Sequence, residues 1–221
     1  MKVSTRTEQA YQGIRQHILD GSFYPSQRLI ETELAQAMGV SRISIRSALQ
    51  RLHQEGLVKL EPHRGAKVTV VTLEDALQIM EVREGVEGWA ASLAAERITP
   101  DALAEMESTL ARLELVVREG RLDEFADVDG ALHRKIIAAA ENPRLQPLID
   151  SLKLSVVRYR FSIILIPGRG EQSIQEHTEI MSALRSHSPG RAEAAMRHHI
   201  VQIRKNMLLL QKMMLVKPQN G

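Results

Sequence analysis

The sequence predicts a mainly α protein in two parts, an N-terminal winged helix-turn-helix and a C-terminal antiparallel all-α bundle, and three observations carry that expectation. Helical periodicity runs through almost the whole chain, and one short β-rich interval interrupts it near residues 57–71. Charge divides unevenly about that interval: 10 Lys/Arg and 6 Asp/Glu lie up to Val71, 19 and 21 beyond it. A basic first part ahead of a slightly acidic remainder is expected where one part meets a polyanion and the other performs a separate task. The 221 residues suffice for two compact units, and 43% hydrophobic with 25% charged residues excludes wholesale disorder. The absence of cysteine removes disulfides, thiolate metal sites and cysteine nucleophiles, so any metal must be held by His, Asp or Glu. No apolar run approaches the ~18 residues of a membrane span and the N-terminus lacks a signal core, so a soluble, cytoplasmic protein with no membrane partner is expected.

The expected boundaries are 1–71 for the winged helix-turn-helix, 72–215 for the bundle and 216–221 for a disordered tail. Thr7 to Asp20 places Ala10, Ile14, Ile18 and Leu19 on one helical face, with Gly21 as the stop. Glu31 to Met38 reads as a two-turn helix ended by Gly39, and Ser41 is placed to N-cap a third helix whose inward stripe is Ile45, Ala48, Leu49 and Leu52. LVKLEP and AKVTVV then form a hairpin around His63 to Gly65. Beyond it, six helices are expected at about 72–97, 99–119, 122–140, 143–166, 171–187 and 189–212, separated by NP, PGRG and SPG breakers. Short loops between long helices favour antiparallel neighbours.

A short helix, a glycine turn and a capped helix bearing outward arginines meet the needs of a helix-turn-helix. Arg42 and Arg46 lie four apart near the N-terminus of the reading helix, each able to make a bidentate contact to guanine; alone they read first as a solvated helix face, and it is the ordered set of Gly39, Ser41, Arg42, Arg46, Gly56 and Gly65 that favours the DNA reading. Ser41 and Ser44 can donate to phosphates, and the hairpin forms a wing with Arg64 at its tip and Gly65 allowing close backbone approach. The partner is therefore double-stranded DNA. One such module reads few base pairs, which argues for a homodimer on a near-palindromic operator.

In the helical half, Asp129 and His133 share a face of one helix, while His177 and His199 point inward by phase and His198 outward. Three imidazoles and a carboxylate converging inside a bundle suit a divalent ion, zinc foremost, with nickel or manganese as alternatives. The competing reading is a hydrogen-bonded polar network without metal.

The stretch IRQHILDGSFYPSQRLIETELAQAMGVSRISIRSALQRLHQEGLVKLEPHRGAKV resembles the winged helix of the GntR superfamily of bacterial transcription regulators. Pro25-Ser26 stands where the family usually has Pro-Gly, and Ser44 where it often has Pro or Thr. The resemblance implies that Arg28, Arg42 and Arg46 meet DNA, that Ser44 holds phosphate, that the Arg64-Gly65 tip enters the minor groove, and that Glu31 orients neighbouring arginines. Residues 73–212, through EVREGVEGWAASLAAERIT, DVDGALHRKIIAAAENPRL and EHTEIMSALRSHSPGRAEAAMRHHI, resemble the FCD ligand-sensing domain of the FadR branch, in its six-helix VanR-like form. This resemblance implies a metal held by Asp129, His133, His177 and His199, an effector that is a small organic acid, and repression released by that effector. Arg83 matches an arginine that faces the effector pocket; an ion pair with Glu87 at i+4 competes with that role.

Two other functions stand beside the regulator. A metal-dependent hydrolase would need a general base, for which Glu176 and Glu179 are the available carboxylates. Alternatively the metal itself is the signal, and no organic acid is sensed.

Overall fold

The computed structural model of the chain describes residues 5–19, 22–61, 65–152 and 163–215. It divides into two compact units, Met1–Thr72 and Leu73–Gly221. The expected tail, 216–221, and the wing tip with Arg64 lie outside the described residues.

The first unit contains α1 (Thr5–Leu19), β1 (Arg28–Leu29), α2 (Glu31–Met38), α3 (Arg42–Gln54), β2 (Val58–Glu61) and β3 (Gly65–Val68). Its core is where the helical stripes meet: Ala10 and Ile14 of α1 and Ile45, Ala48, Leu49 and Leu52 of α3 are fully buried. Gly39 ends α2 with φ 64°, and Ser41 caps α3 by accepting from the Ser44 N–H at 3.1 Å. The hairpin expected from the sequence is a three-stranded antiparallel sheet of order β1-β3-β2. The added strand pairs Arg28 with Lys67 and Leu29 with Ala66, which inserts the buried Leu29 into the core. That pairing sets the identity of residue 65. Gly65 has φ 86°, and a Cβ there would stand 2.3 Å from the Leu29 carbonyl oxygen, so the fold itself requires glycine at the root of the wing.

The turn entering β1 runs Tyr24-Pro25-Ser26-Gln27, closed by the Gln27 N–H donating to the Tyr24 carbonyl at 3.0 Å. Ser26 sits at its third position with φ 68°, the type II geometry in which glycine is favoured. The backbone is thus retained without the usual glycine, held by the Ser26 N–H donating to the Val68 carbonyl at 3.0 Å.

The second unit is helical among its described residues: α4 (Leu73–Arg97), α5 (Pro100–Arg118), α6 (Leu122–Ala139), α7 over 145–152, α8 (Arg169–Arg185) and α9 (Pro189–Leu215). Thr99 caps α5 by accepting from the Ala102 N–H, with Pro100 in the first turn. Of the helix expected over 143–166, residues 153–162 lie outside the described residues, and turns occupy 164–168. The left-handed Gly168 then allows α8 to start at Arg169 rather than Glu171. Ala90, Ala91, Ala94 and Ala95 give α4 a fully buried small-residue face, and α4 packs along α9, α8 beside both, and α5 against α6 and α8. The apolar run at the end of α9 is mixed: Met207 is buried, whereas Leu208, Leu209 and Met213 are exposed.

Candidate functional site

Two groups of residues concentrate chemistry, one in each unit. In the first unit, α3 turns Arg42 and Arg46 outward, both more than half exposed. Glu31, the first residue of α2, sits between them. Its carboxylate accepts from Arg46 Nε and a terminal Arg46 nitrogen at 2.9 and 2.8 Å and lies 3.7 Å from Arg42. The Arg46 hydrogen bonds hold the Glu31 carboxyl below its usual range against a smaller opposing desolvation, so it remains ionised and fixes the arginine fork. Arg28 is half exposed and pairs with Glu61 at 3.3 Å. Ser44, expected as a phosphate contact, is nearly buried, its hydroxyl 3.0 Å from that of Ser41, because the start of α3 uses both residues in its cap.

In the second unit, α6 supplies Asp129 and His133 from adjacent turns, α8 supplies His177 and α9 supplies His199. One donor atom from each lies within 4.8 Å of all the others. The three imidazoles are buried, and His198 is exposed. His133 Nε2 is 3.2 Å from His199 Nε2 and 3.3 Å from His177 Nε2, while His177 Nε2 is 3.5 Å from the Asp129 carboxylate. Each ring's other nitrogen is already committed. His133 Nδ1 donates to Glu87 of α4 at 2.9 Å, His177 Nδ1 to the Ser173 carbonyl at 2.8 Å, and His199 Nδ1 to Glu176 at 2.7 Å. Those acceptors fix the protons on Nδ1 and leave three Nε2 lone pairs facing one another.

Lone pairs at that separation repel unless a cation lies between them. A tetrahedron with ~2.1 Å metal–nitrogen bonds has edges of about 3.4 Å and an octahedron about 3.0 Å, so the observed spacings fit a divalent ion. The protonation states agree. Burial above all pushes His177 down to about 4, with Asp129 opposing and His133 adding to the fall. Burial, followed by repulsion from His177 and His133, places His199 well below its usual value. Both rings are neutral at pH 7, the state that ligates.

Behind the donors stand two arginine–glutamate braces. Arg83 donates to Glu87 at 2.7 Å, and Glu87 accepts from His133; Arg169 donates to Glu176 at 3.0 and 3.2 Å, and Glu176 accepts from His199. All four brace residues are buried. Burial raises the Glu176 carboxyl to about 7 despite the lowering by Arg169.

Residues 6–68 match the bacterial regulatory proteins of the gntR family, and residues 78–202 match the FCD domain. The chain belongs to the GntR family. It is a DNA-binding transcription regulator in which an FCD domain follows the winged helix. LutR of Bacillus subtilis, an HTH-type transcriptional regulator, is 30% identical over 207 residues, covering 84% of this chain and 94% of LutR. The HTH-type transcriptional repressor RspR of Escherichia coli is 26% identical over 90% of this chain and 88% of its own. The solved E. coli McbR/YncC has the same fold, with a TM-score of 0.76 at 23% identity over 96% of this chain and 99% of that one. No helix among the described residues is long and apolar enough to cross a membrane.

Within this GntR fold, the structure brings Asp129, His133, His177 and His199 together and places Arg42 and Arg46 on one exposed face around Glu31. Arg83 makes the ion pair with Glu87. Glu176 has both carboxylate oxygens engaged by Arg169 and His199, and Glu179 is exposed, so neither stands as a free base at the cluster. Sequence reasoning missed Arg169 and Ser173 and gave Glu87 and Glu176 other roles. The signal was present as polar residues at 169, 173, 176 and 177, an i, i+4, i+7, i+8 stripe that buries a polar face on α8.

Proposed function

We propose that the protein is a repressor, not an enzyme, whose grip on an operator is released by a small organic acid bound at a divalent-metal site. The observation that carries this reading is the convergence of three Nε2 lone pairs, that of His133 at 3.2 Å from His199 and 3.3 Å from His177, each ring's Nδ1 proton already given away. Asp129, His133, His177 and His199 would hold the ion, zinc foremost, with nickel or manganese as alternatives. When bound, the metal supplies a Lewis-acidic centre to which an effector carboxylate can add. Around it the chain's own groups do the rest. Glu87 and Glu176 hold two rings in ligating orientation, Asp129 adds negative charge, and Arg83 contributes a buried cation close enough to depress His199. A carboxylate is the anion such a setting favours, which assigns Arg83 to effector binding through its charge.

On the DNA side the contacts are assigned to Arg28, Ser41, Arg42, Ser44, Arg46 and the Arg64-Gly65 tip. Arg42 and Arg46 read base edges and the serines hold phosphate. Two copies on a near-palindromic operator, acting in the cytoplasm, supply the specificity one reader lacks. The acid must bind the DNA-released arrangement more tightly than the DNA-bound one, and the ratio of those affinities is the size of the response.

The test is metal analysis by mass spectrometry of the full chain purified without chelator, then thermal melts against a panel of small carboxylic acids with metal kept and stripped. Expected are about one equivalent of divalent ion per chain and an acid that raises Tm only in the metal-loaded protein. Failure to take up any ion under loading would reduce the cluster to a polar network. An ion that alters operator binding with no acid acting would make the metal itself the signal. Arg46→Ala should lose operator selectivity with metal content intact, and His177→Ala should lose metal with non-specific DNA binding intact.

A further inference from the structure

Ile43 is 78% exposed, more than any other large apolar side chain among the described residues. It is the second residue of α3, between Arg42 and Ser44. At ~100° per residue, Arg42, Ile43, Arg46, Ser47 and Gln50 fall within an arc of about 140°. All five are exposed, whereas Ser44, Ile45, Ala48, Leu49 and Leu52 are buried on the other side. Ile43 thus belongs to the face that carries the two arginines and has no part in the core.

In the free protein this isoleucine carries two costs. Its apolar surface lies in water, and a β-branched residue on an exposed helix is a weaker helix former than the Arg, Lys or Gln that would serve there. Single exposed apolar residues are common and need no explanation by themselves. This one is set in the first turn of the helix, where base-edge contacts are made, beside an Arg46 fork held in place by Glu31. Arginine forks match guanine, while an apolar side chain matches one group in the major groove, the C5-methyl of thymine.

We propose that Ile43 is a specificity-determining residue that reads a thymine methyl beside the guanine contacted by Arg46. The inference rests on the reading of α3 as the base-contacting helix. It assigns a thymine next to guanine in each half-site, discriminated by apolar contact and not by hydrogen bonds.

The test uses the full chain to select duplexes from a random library. Each thymine of the selected consensus is then replaced singly by deoxyuridine, which removes only the methyl. With the wild-type chain, one position should show a loss of about fourfold in affinity, the value of one apolar methyl withdrawn from water. Ile43→Ala, at an exposed site and therefore folded, should bind the thymine and deoxyuridine duplexes equally and should select no base preference there. Deoxyuridine tolerated at every position by the wild type, or the same penalty persisting in Ile43→Ala, overturns the inference. If guanine preference is lost in Arg46→Ala while deoxyuridine is harmless, α3 remains the reader and Ile43 alone is excluded. If no consensus is selected, base reading by α3 falls and the inference falls with it.

Discussion

Replacing Glu176 with glutamine keeps the size and shape of the side chain and removes one negative charge from the brace behind His199. Two effects on metal affinity follow. The hydrogen bond that orients His199, 2.7 Å from Nδ1 to the carboxylate, becomes one to a neutral acceptor, and losing such an outer partner typically costs about 10–100-fold in metal affinity. Arg169 also loses its buried counter-charge and becomes an unpaired cation near the proposed metal site. Both act in the same direction, so the loss should approach the upper end, about 100-fold or about 2.7 kcal/mol. In Arg169→Met with Glu176→Gln the stray cation is gone, and the loss should shrink toward about tenfold. The assay is competition for zinc against a chromogenic chelator at pH 7.5, with a circular dichroism melt of each stripped variant to confirm folding. Affinity in Glu176→Gln within twofold of wild type would refute the brace, and with it the claim that fixed Nδ1 protons make the Nε2 atoms ligands.

Ser26→Gly should stabilise the first unit by about 0.5–1 kcal/mol, because a left-handed residue with a Cβ carries about 1–2 kcal/mol of strain and glycine's extra unfolded-state freedom returns part of it; a higher urea midpoint checks it. Glu31→Gln should strengthen non-specific DNA binding and steepen its salt dependence by freeing Arg46 and Arg42, while discrimination between selected and scrambled duplexes falls; binding titrations over a range of salt concentrations read both. The metal-stripped protein should lose stability as pH falls below about 6.5, the value of an unfolded histidine, and continue losing it to about 4, where buried His177 takes its proton. Across that window the unfolded chain binds more protons than the folded one, so the sign is destabilisation by acid, roughly 3 kcal/mol at full extent. Urea midpoints at pH 7.5, 5.5 and 4.5 measure it.

The elements that local pattern controls were legible in the sequence. The α2 span, the Gly39 turn and the Ser41 cap are written in neighbouring residues, and the inward phase of His177 and His199 follows from helical period alone. The two-residue β1 was not legible, because it exists only through its pairing with β3 almost 40 residues later and is too short to alternate. The Arg83–Glu87 pair was visible as an i+4 contact, but its purpose was not, since the His133 it braces lies 46 residues away. The turn of Ser44 toward Ser41 was not legible either, because it follows from the geometry of the helix cap. Ile43 drew no attention in the sequence, where an apolar residue near a buried stripe passes for part of it.

The donor cluster joins residues 129, 133, 177 and 199, whereas every described strand and helix of the first unit ends by Val68. During synthesis from the N-terminus, domains fold as units in the order they emerge. The winged helix is therefore complete while the second unit is still being made, and the cluster cannot close until His199 has been added. For that interval the nascent chain carries the winged helix alone, without the donor cluster and without the second copy that operator selectivity calls for.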